Sequence, residues 1–289
     1  MRSSLLWLVP VAMVCTQALA EGGWKAEKET RTLKITASAG QPLTVSTRNG
    51  GVTVVQGTTD QVVVTAEVYA KTKEDLAKIE IEASNDTEDG STVNVKFPDP
   101  KRTSNMGCSL KIEMPRAKGV NIEASNGPIE ISEMAGKAVL ETSNGPVTIS
   151  KHDGSVVIGT SNAPVEASDV SGSVVIETSN GPVQLSLHEA ASEKFVIETS
   201  NAPVEVRVPK AFNGILGVET SNGNISFPSE SDITTKPSNK GYGDTKGQAT
   251  FGKGGPVCTI ETSNGPVQIR YRGEQNASAP KKQRKPAQD

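Results

Sequence analysis

The sequence is poor in aromatic residues, and its charge is nearly balanced. Phe, Trp and Tyr make up 3% of the 289 residues, too few for the aromatic platforms on which bases or sugars stack. The formal net charge is −3, so the composition does not suggest a basic surface for nucleic acid. We therefore expect no nucleic-acid partner.

Histidine and cysteine are scarce as well. His152 and His188 are the two histidines, and neither stands at a catalytic or metal-binding spacing from a cysteine or an aspartate. No nucleophile motif occurs. The sequence therefore predicts no catalytic site, no metal site and no cofactor.

Long apolar runs are missing except at the N-terminus. Arg2 precedes an apolar run at 5–14 and the small-residue site Ala18-Leu19-Ala20, which predicts a signal peptide at residues 1–20. The run is shorter than the roughly 20 residues of a membrane-spanning helix. Cys15 leaves lipidation open, although Val14 stands where lipid attachment favours a small residue. We expect an exported protein without a transmembrane span in the mature chain.

One phrase, Glu-Thr-Ser-Asn-Gly-Pro-Val, dominates the rest of the sequence. The intervals between successive copies of its asparagine are nearly equal, except that the last is twice the one before it. A fixed period of about 20 residues is typical of repeat architectures. The seven repeated asparagines are Asn126, Asn144, Asn162, Asn180, Asn201, Asn222 and Asn264.

Each repeat contains two short stretches in which apolar and polar residues alternate, one on each side of the asparagine. Val156 and Ile158 precede Asn162, for example, and Val165 and Ala167 follow it. Alternation with period two indicates two strands with one buried face. The predicted fold is all-β, a parallel β-solenoid of about 18–21 residues per coil. Its coils are expected to stack linearly, in chain order.

The remaining segments predict the boundaries of the solenoid. We expect a leader at 21–31, an N-terminal cap with the first irregular coils at 32–118, and the regular solenoid at 119–271. The cap includes earlier copies of the phrase at Asn49 and Asn85 and one short helix at 72–78 with Thr72 as N-cap. A glycine-rich excursion at 228–256 either loops out or hides one degenerate coil. The basic segment 272–289 is expected to be a disordered tail.

The repeated corner has its own chemistry. The residue after the asparagine is Gly or Ala, as Ala163 and Ala202 show, so small size matters there. The asparagine itself is the expected position of positive φ. Stacked asparagine amides could form a hydrogen-bonded ladder, or Asn-Gly could simply be repeated turn chemistry.

Two outward-facing columns are candidate binding surfaces. One is a carboxylate column that could hold a cation weakly, or could only protect exposed strands from aggregation; it contains Glu123, Glu141, Glu177, Glu198, Glu219 and Glu261. The other is a valine stripe that could be covered by 228–256, could contact a partner, or could reflect strand propensity alone; it contains Val139, Val157, Val175 and Val196.

Two cysteines follow the predicted signal peptide, and an even count in an exported protein suggests a disulfide. Stacked coils separate Cys108 from Cys258 by six or seven rungs, or roughly 30 Å. A disulfide needs Cα atoms within about 7 Å. The repeat geometry therefore predicts two buried free thiols.

The Glu-Thr-Ser-Asn-Gly-Pro-Val copies behind a signal peptide resemble a bacterial family of exported β-strand-repeat proteins of unknown function, known as putative adhesins. The resemblance covers residues 32–271 and implies a structural or binding solenoid with an envelope, surface or protein partner. It also implies that the exported protein lies in the periplasm or on the cell surface of a bacterium. An alternative is a cell-envelope sensing or scaffold module that acts with a membrane protein. A remote alternative is a β-helical enzyme that acts on polysaccharides through its outer carboxylates.

Overall fold

The computed structural model describes residues 26–36, 40–86, 90–98, 105–229, 234–235, 238–240 and 244–274. The predicted signal peptide, residues 21–25 of the predicted leader and residues 275–289 lie outside this part of the chain. The described residues form β-strands and one short helix.

The N-terminal part contains seven strands and the helix. They are β1 (Glu27–Thr36), β2 (Leu43–Ser46), β3 (Val52–Gln56), β4 (Gln61–Ala70), α1 (Lys73–Ala77), β5 (Glu80–Asp86), β6 (Gly90–Lys96) and β7 (Gly107–Met114).

Each of the seven predicted repeats forms one strand before its asparagine and one after it. The strands before are β8 (Lys118–Glu123), β10 (Ala135–Thr142), β12 (Val156–Thr160), β14 (Val174–Thr178), β16 (Phe195–Thr199), β18 (Gly214–Thr220) and β23 (Val257–Thr262). The strands after are β9 (Ile129–Ser132), β11 (Val147–His152), β13 (Val165–Val170), β15 (Val183–Leu187), β17 (Val204–Val208), β19 (Ile225–Ser226) and β24 (Val267–Tyr271). The excursion forms β20 (Thr234–Thr235), β21 (Ser238–Lys240) and β22 (Asp244–Phe251).

These strands build two sheets, and in each of them a central series of described strands is parallel. In sheet I the parallel series runs β7-β3-β9-β11-β13-β15-β17-β24-β19. In sheet II it runs β6-β2-β8-β10-β12-β14-β16-β23-β18. One strand of each series makes up one rung, and we name a rung after its corner asparagine. The predicted parallel β-solenoid is confirmed.

The N-terminal end does not follow the order of the chain. The Asn49 rung, β2 and β3, lies between the β6–β7 rung and the Asn126 rung. The prediction that the copy at Asn85 forms a coil is wrong, because its strand β5 runs antiparallel to β6. Beyond β7, sheet I continues with β4, which is antiparallel to β7, and then with β1, which is antiparallel to β4. Parallel rungs therefore also form before residue 119.

The C-terminal end departs from chain order in the same way. The Asn264 rung lies between the Asn201 and Asn222 rungs, because β23 pairs with both β16 and β18. Strand β22 runs antiparallel along the outer edge of β18 and brings the chain back to the start of that strand. The prediction of a linear stack is therefore wrong at this end. The interval between Asn222 and Asn264 is twice as long as the one before it because the excursion forms the edge strand β22. The excursion does not contain an additional coil of the solenoid.

Apolar side chains from both sheets form one continuous core. The predicted inward positions of the Asn162 rung (Val156, Ile158, Val165 and Ala167) are at most 1% exposed. Ile81, Ile225 and Phe227 are only partly buried at the ends of the stack. Complete burial of a Val or Ile side chain contributes about 1.5–3 kcal/mol, so each rung adds stability only where a neighbour covers it.

A short helix covers the N-terminal end of the stack, and an aromatic cluster lies at the C-terminal end. At the N-terminal end Thr72 caps α1, since its Oγ1 accepts the N–H of Asp75 at 3.1 Å; this confirms the predicted helix. Arg31 of β1 donates to the carbonyls of Leu76 and Ile79 at the end of that helix. At the C-terminal end an aromatic cluster packs around Phe251, and its members are Phe195, Phe212, Phe251 and Tyr271.

Candidate functional site

The outer face of sheet II carries the predicted carboxylate column. Parallel register places Glu141 beside Glu123, Glu177 beside Glu198, and Glu261 between Glu198 and Glu219. Gly159 occupies this column on the Asn162 rung. The spatial order is Glu123, Glu141, Gly159, Glu177, Glu198, Glu261 and Glu219.

These carboxylates have few cationic neighbours. Glu219 pairs with Lys246 of β22 at 2.7 Å. The other five glutamates of the column form no ion pair with any residue that the structure describes. Like charges on neighbouring strands repel one another, so the column favours contact with a cationic group.

A long open groove runs beside the column. It has a volume of about 810 Å³. The serines that precede the corner asparagines line it on seven successive rungs, and the carboxylates line it on six of them. Among the described residues, no Lys, Arg or His lines it. With rungs about 4.8 Å apart, seven rungs extend for roughly 29 Å. The serines of the groove are Ser125, Ser143, Ser161, Ser179, Ser200, Ser221 and Ser263.

The valine stripe lies next to the column on the same face. Val139, Val157, Val175 and Val196 stand in register on neighbouring strands, and each is half-buried. The described part of the excursion pairs with the edge of sheet II at β18 and does not lie over the stripe. The stripe therefore adds a narrow apolar surface beside the groove.

The corner asparagines form a continuous column of hydrogen bonds. The Nδ2 of Asn144 donates to the Oδ1 of Asn126 at 2.8 Å, and this contact repeats along the stack at 2.8–3.1 Å. Asn49, an earlier copy of the phrase, extends the predicted set of seven. At the other end the order is Asn201, Asn264, Asn222. The column holds the rungs in register beneath the groove.

The corner needs a small residue after the asparagine because space is short. A Cβ at Gly145 would overlap the carbonyl of Gly127 on the neighbouring rung. Inside the corner, the Oγ1 of Thr178 accepts the N–H of Gly181 at 3.2 Å. The asparagines do not have positive φ, so that prediction is wrong. Among the described non-glycine residues, positive φ occurs at Glu133, Lys151 and Asp169, where sheet I strands return to sheet II.

The remaining candidate groups are apart from the groove. His152 is buried, and its Nε2 donates to the carbonyl of Gly136 at 2.8 Å, while His188 is exposed. Cys108 and Cys258 are buried free thiols, as predicted. The described part of the chain has no cluster of three or more His, Cys, Asp or Glu side chains suited to a metal ion. Among the same residues, no helix has the length and apolar character of a membrane span.

Outward carboxylates also occur on sheet I, but their surroundings differ. Glu130 and Glu166 are exposed there, and Glu205 pairs with Arg207 at 2.9 Å. Sheet I thus presents a mixed-charge surface, whereas the groove of sheet II is acidic.

Solved structures of bacterial proteins resemble this chain at low sequence identity. No curated protein matches the chain. A solved structure of a putative cell adhesion protein from Clostridium sporogenes is 14% identical, with a TM-score of 0.33, over 86% of this chain and 100% of that one. A putative adhesin from Bacteroides fragilis is 12% identical, with a TM-score of 0.31, over 84% and 96% of the two chains. A putative lipid binding protein from Parabacteroides distasonis is 12% identical, with a TM-score of 0.27, over 84% and 96%.

The family comparison concerns the C-terminal half of the sequence. Residues 139–274 match a family described as a domain of unknown function, DUF7330. This segment includes the Asn144 to Asn264 repeats and the valine stripe. The predicted resemblance to β-strand-repeat proteins of unknown function known as putative adhesins is confirmed.

Proposed function

We propose that this chain is an exported, non-catalytic binding protein of adhesin-like type. Its ligand is a linear polymer that lies along the groove of sheet II and carries both cationic and hydroxyl groups. The observation that carries this proposal is the groove, which runs over seven rungs and whose described lining contains carboxylates and serines but no basic side chain.

The groove suits an extended ligand better than a small one. A glutamate and a serine recur together on six of the seven rungs, which are spaced about 4.8 Å apart, and Gly159 takes the glutamate position on the Asn162 rung. A polymer can contact several of these pairs at once, and each further contact is made at a high effective concentration. The asparagine column keeps the rungs in register before the ligand binds, so the protein loses little conformational entropy on binding.

Cationic groups on the ligand would relieve repulsion within the column. Five glutamates have no ion-pair partner among the described residues, and each exposed ion pair contributes about 0.2–1 kcal/mol. Hydroxyl groups on the ligand would hydrogen-bond to the serine row. A polymer of glucosamine has both kinds of group.

The first prediction tests the groove with a double variant. Replacement of Glu177 and Glu198 by Gln should weaken binding of a linear glucosamine polymer by about 2- to 30-fold, since two ion pairs of about 0.2–1 kcal/mol are lost. The measurement is isothermal titration calorimetry at low and at physiological ionic strength, and the N-acetylated polymer, which lacks the charge, should bind more weakly to the unchanged protein.

The matched control removes the same charge from the other sheet. Glu130→Gln with Glu166→Gln alters two exposed carboxylates of sheet I and should leave the affinity unchanged. Equal losses for both double variants would mean that only net charge matters. Binding that is unaffected by the sheet II variant, or undetectable in the unchanged protein, would contradict the proposed ligand.

A further inference from the structure

The Asn264 rung is the last repeat in the sequence but an interior rung of the stack. Strand β23 pairs with β16 through Val196 and Thr259, and with β18 through Ile215 and Val257. Strand β24 pairs with β17 and, over two residues, with β19. The Asn201 and Asn222 rungs therefore form a slot that residues 257–271 fill.

The contacts in this slot are those that every repeat makes. Asn264 donates to Asn201 and accepts from Asn222, as the corner asparagines do along the whole stack. Ile260 and Ile269 fill the core on either side of the corner and are at most 1% exposed. A rung of the same sequence from another molecule would make the same contacts.

The connection into this rung is short and rich in glycine. Residues 252–256, Gly-Lys-Gly-Gly-Pro, join β22 to β23. Gly252, Gly254 and Gly255 have φ values of 55°, 79° and 154°, which glycine adopts without the cost that other residues incur. Within the part of the chain that the structure describes, this connection is the one covalent link between the Asn264 rung and the other rungs.

The side chain of Arg272 also connects the end of the rung to earlier parts of the chain. Arg272 forms an ion pair with Asp169 at 2.8 Å and another with Glu189 at 3.4 Å. It also donates to the carbonyl of Leu187 at 2.7 Å. These acceptors lie on one edge of the stack, and they would receive Arg272 equally well from a second molecule.

We propose that residues 257–274 are exchanged between two copies of this chain. Each copy inserts its Asn264 rung between the Asn201 and Asn222 rungs of the other. The contacts are identical in the monomer and the exchanged dimer, so the balance depends on the hinge and on protein concentration, as in other domain-swapped dimers. The partner is a second copy of the same chain.

Two variants, each with one added surface cysteine besides the buried Cys108 and Cys258, test this exchange. Glu205 and Gln268 are register partners on β17 and β24, and neighbouring strands lie about 4.8 Å apart, within the Cα range of a disulfide. Glu205→Cys and Gln268→Cys proteins are mixed, unfolded and refolded together in reductant, and then oxidised. Exchange predicts a disulfide-linked dimer that increases with the protein concentration during refolding, measured on non-reducing gels.

A matched mixture controls for random collision. Gln184 and Glu205 are register partners on β15 and β17, which both stay in their own copy during exchange. A mixture of Gln184→Cys and Glu205→Cys proteins should therefore give no concentration-dependent dimer above background. Equal dimer formation in both mixtures, or none in the first, would overturn the proposal.

A hinge variant gives an independent measurement. Deletion of Gly254 and Gly255 shortens the connection, which should prevent residues 257–271 from reaching their own slot and favour exchange. This variant should be mainly dimeric by size-exclusion chromatography with light scattering. A folded, strictly monomeric variant with unchanged circular dichroism would contradict the proposal.

Discussion

At the scale of single residues, the corner asparagines bond to one another between rungs. Each interior asparagine donates one hydrogen bond and accepts another at 2.8–3.1 Å. A net contribution of about 0.5–1.5 kcal/mol per hydrogen bond is typical, and solvent exposure of the amides favours the lower end. The column therefore stabilises register more than it stabilises any one turn.

Replacement of an interior asparagine should cost about twice as much as replacement of the terminal one. Asn162→Ala removes two side-chain hydrogen bonds, to Asn144 and from Asn180, and should lower the free energy of unfolding by about 1–2 kcal/mol. Asn222→Ala removes the single bond to Asn264. Urea denaturation of both variants measures the difference, and a larger loss at Asn222 would show that the ladder is not what stabilises the corner.

At the scale of elements, the two corners of a rung differ. The asparagine corner has nearly the same sequence in every repeat. The return corner varies in length and uses positive φ at Glu133, Lys151 or Asp169. This variation explains how shorter and longer repeats stack in one sheet, since the additional residues lie outside the paired strands. His152 lies at one return corner, at the end of β11, where the charges of Asp153 and Arg116 act on it.

The return corner at His152 should make stability depend on pH. Burial lowers the pKa of His152, with the hydrogen bond to Gly136 and the charge of Asp153 opposing this and the charge of Arg116 assisting it. A lowered pKa means that the unfolded chain binds the proton more readily, so the neutral side chain stabilises the fold above pH 6.5 and this contribution is lost as the pH falls. We expect the free energy of unfolding to decrease below pH 6.5 by at most about 1.4 kcal/mol per pH unit from this group.

Two substitutions separate this effect from other titrating groups. His152→Gln should remove the decrease with pH, whatever its effect on stability at pH 7.5. His188→Gln changes an exposed histidine and should leave the decrease in place. Urea denaturation between pH 5 and 7.5 measures both, and a slope that survives His152→Gln would refute the assignment.

At the scale of the whole molecule, one hydrophobic core runs through the stack of rungs. At both ends of the stack the order of the rungs differs from their order in the chain. Cys108 on β7 and Cys258 on β23 are separated by seven steps of the stack, or about 34 Å at rung spacing. Burial raises the pKa of the Cys108 thiol to about 12 and raises that of Cys258 as well. Both thiols are thus protonated and enclosed at neutral pH.

The cysteines should therefore report on global unfolding. Iodoacetamide at pH 8 should leave Cys108 and Cys258 unmodified in the native protein and alkylate both in urea, because the reactive thiolate forms only after exposure. Peptide mass spectrometry measures each site separately. Rapid modification of Cys258 alone would mean that the Asn264 rung opens without the rest of the stack.

Much of the fold and part of the candidate site could be predicted from the sequence. Alternating Val and Ile residues on both sides of each asparagine predict the buried faces, because strand side chains alternate. The same spacing predicts the carboxylate column and the valine stripe. The groove could not be predicted, since its shape depends on how the seven corners align. Lys246 could not be placed beside Glu219 either, because their contact depends on the antiparallel pairing of β22.

The sequence by itself determined the repeating unit: two short strands, a small-residue corner and an asparagine that meets its copies. These are local properties of a single repeat, and they depend on side-chain alternation and steric space. Only the tertiary structure decided the order of the rungs, since every repeat presents nearly the same edge to its neighbours. Antiparallel pairing of β22 with β18 and the position of β23 between β16 and β18 resolve that choice, because they depend on contacts between segments far apart in the chain.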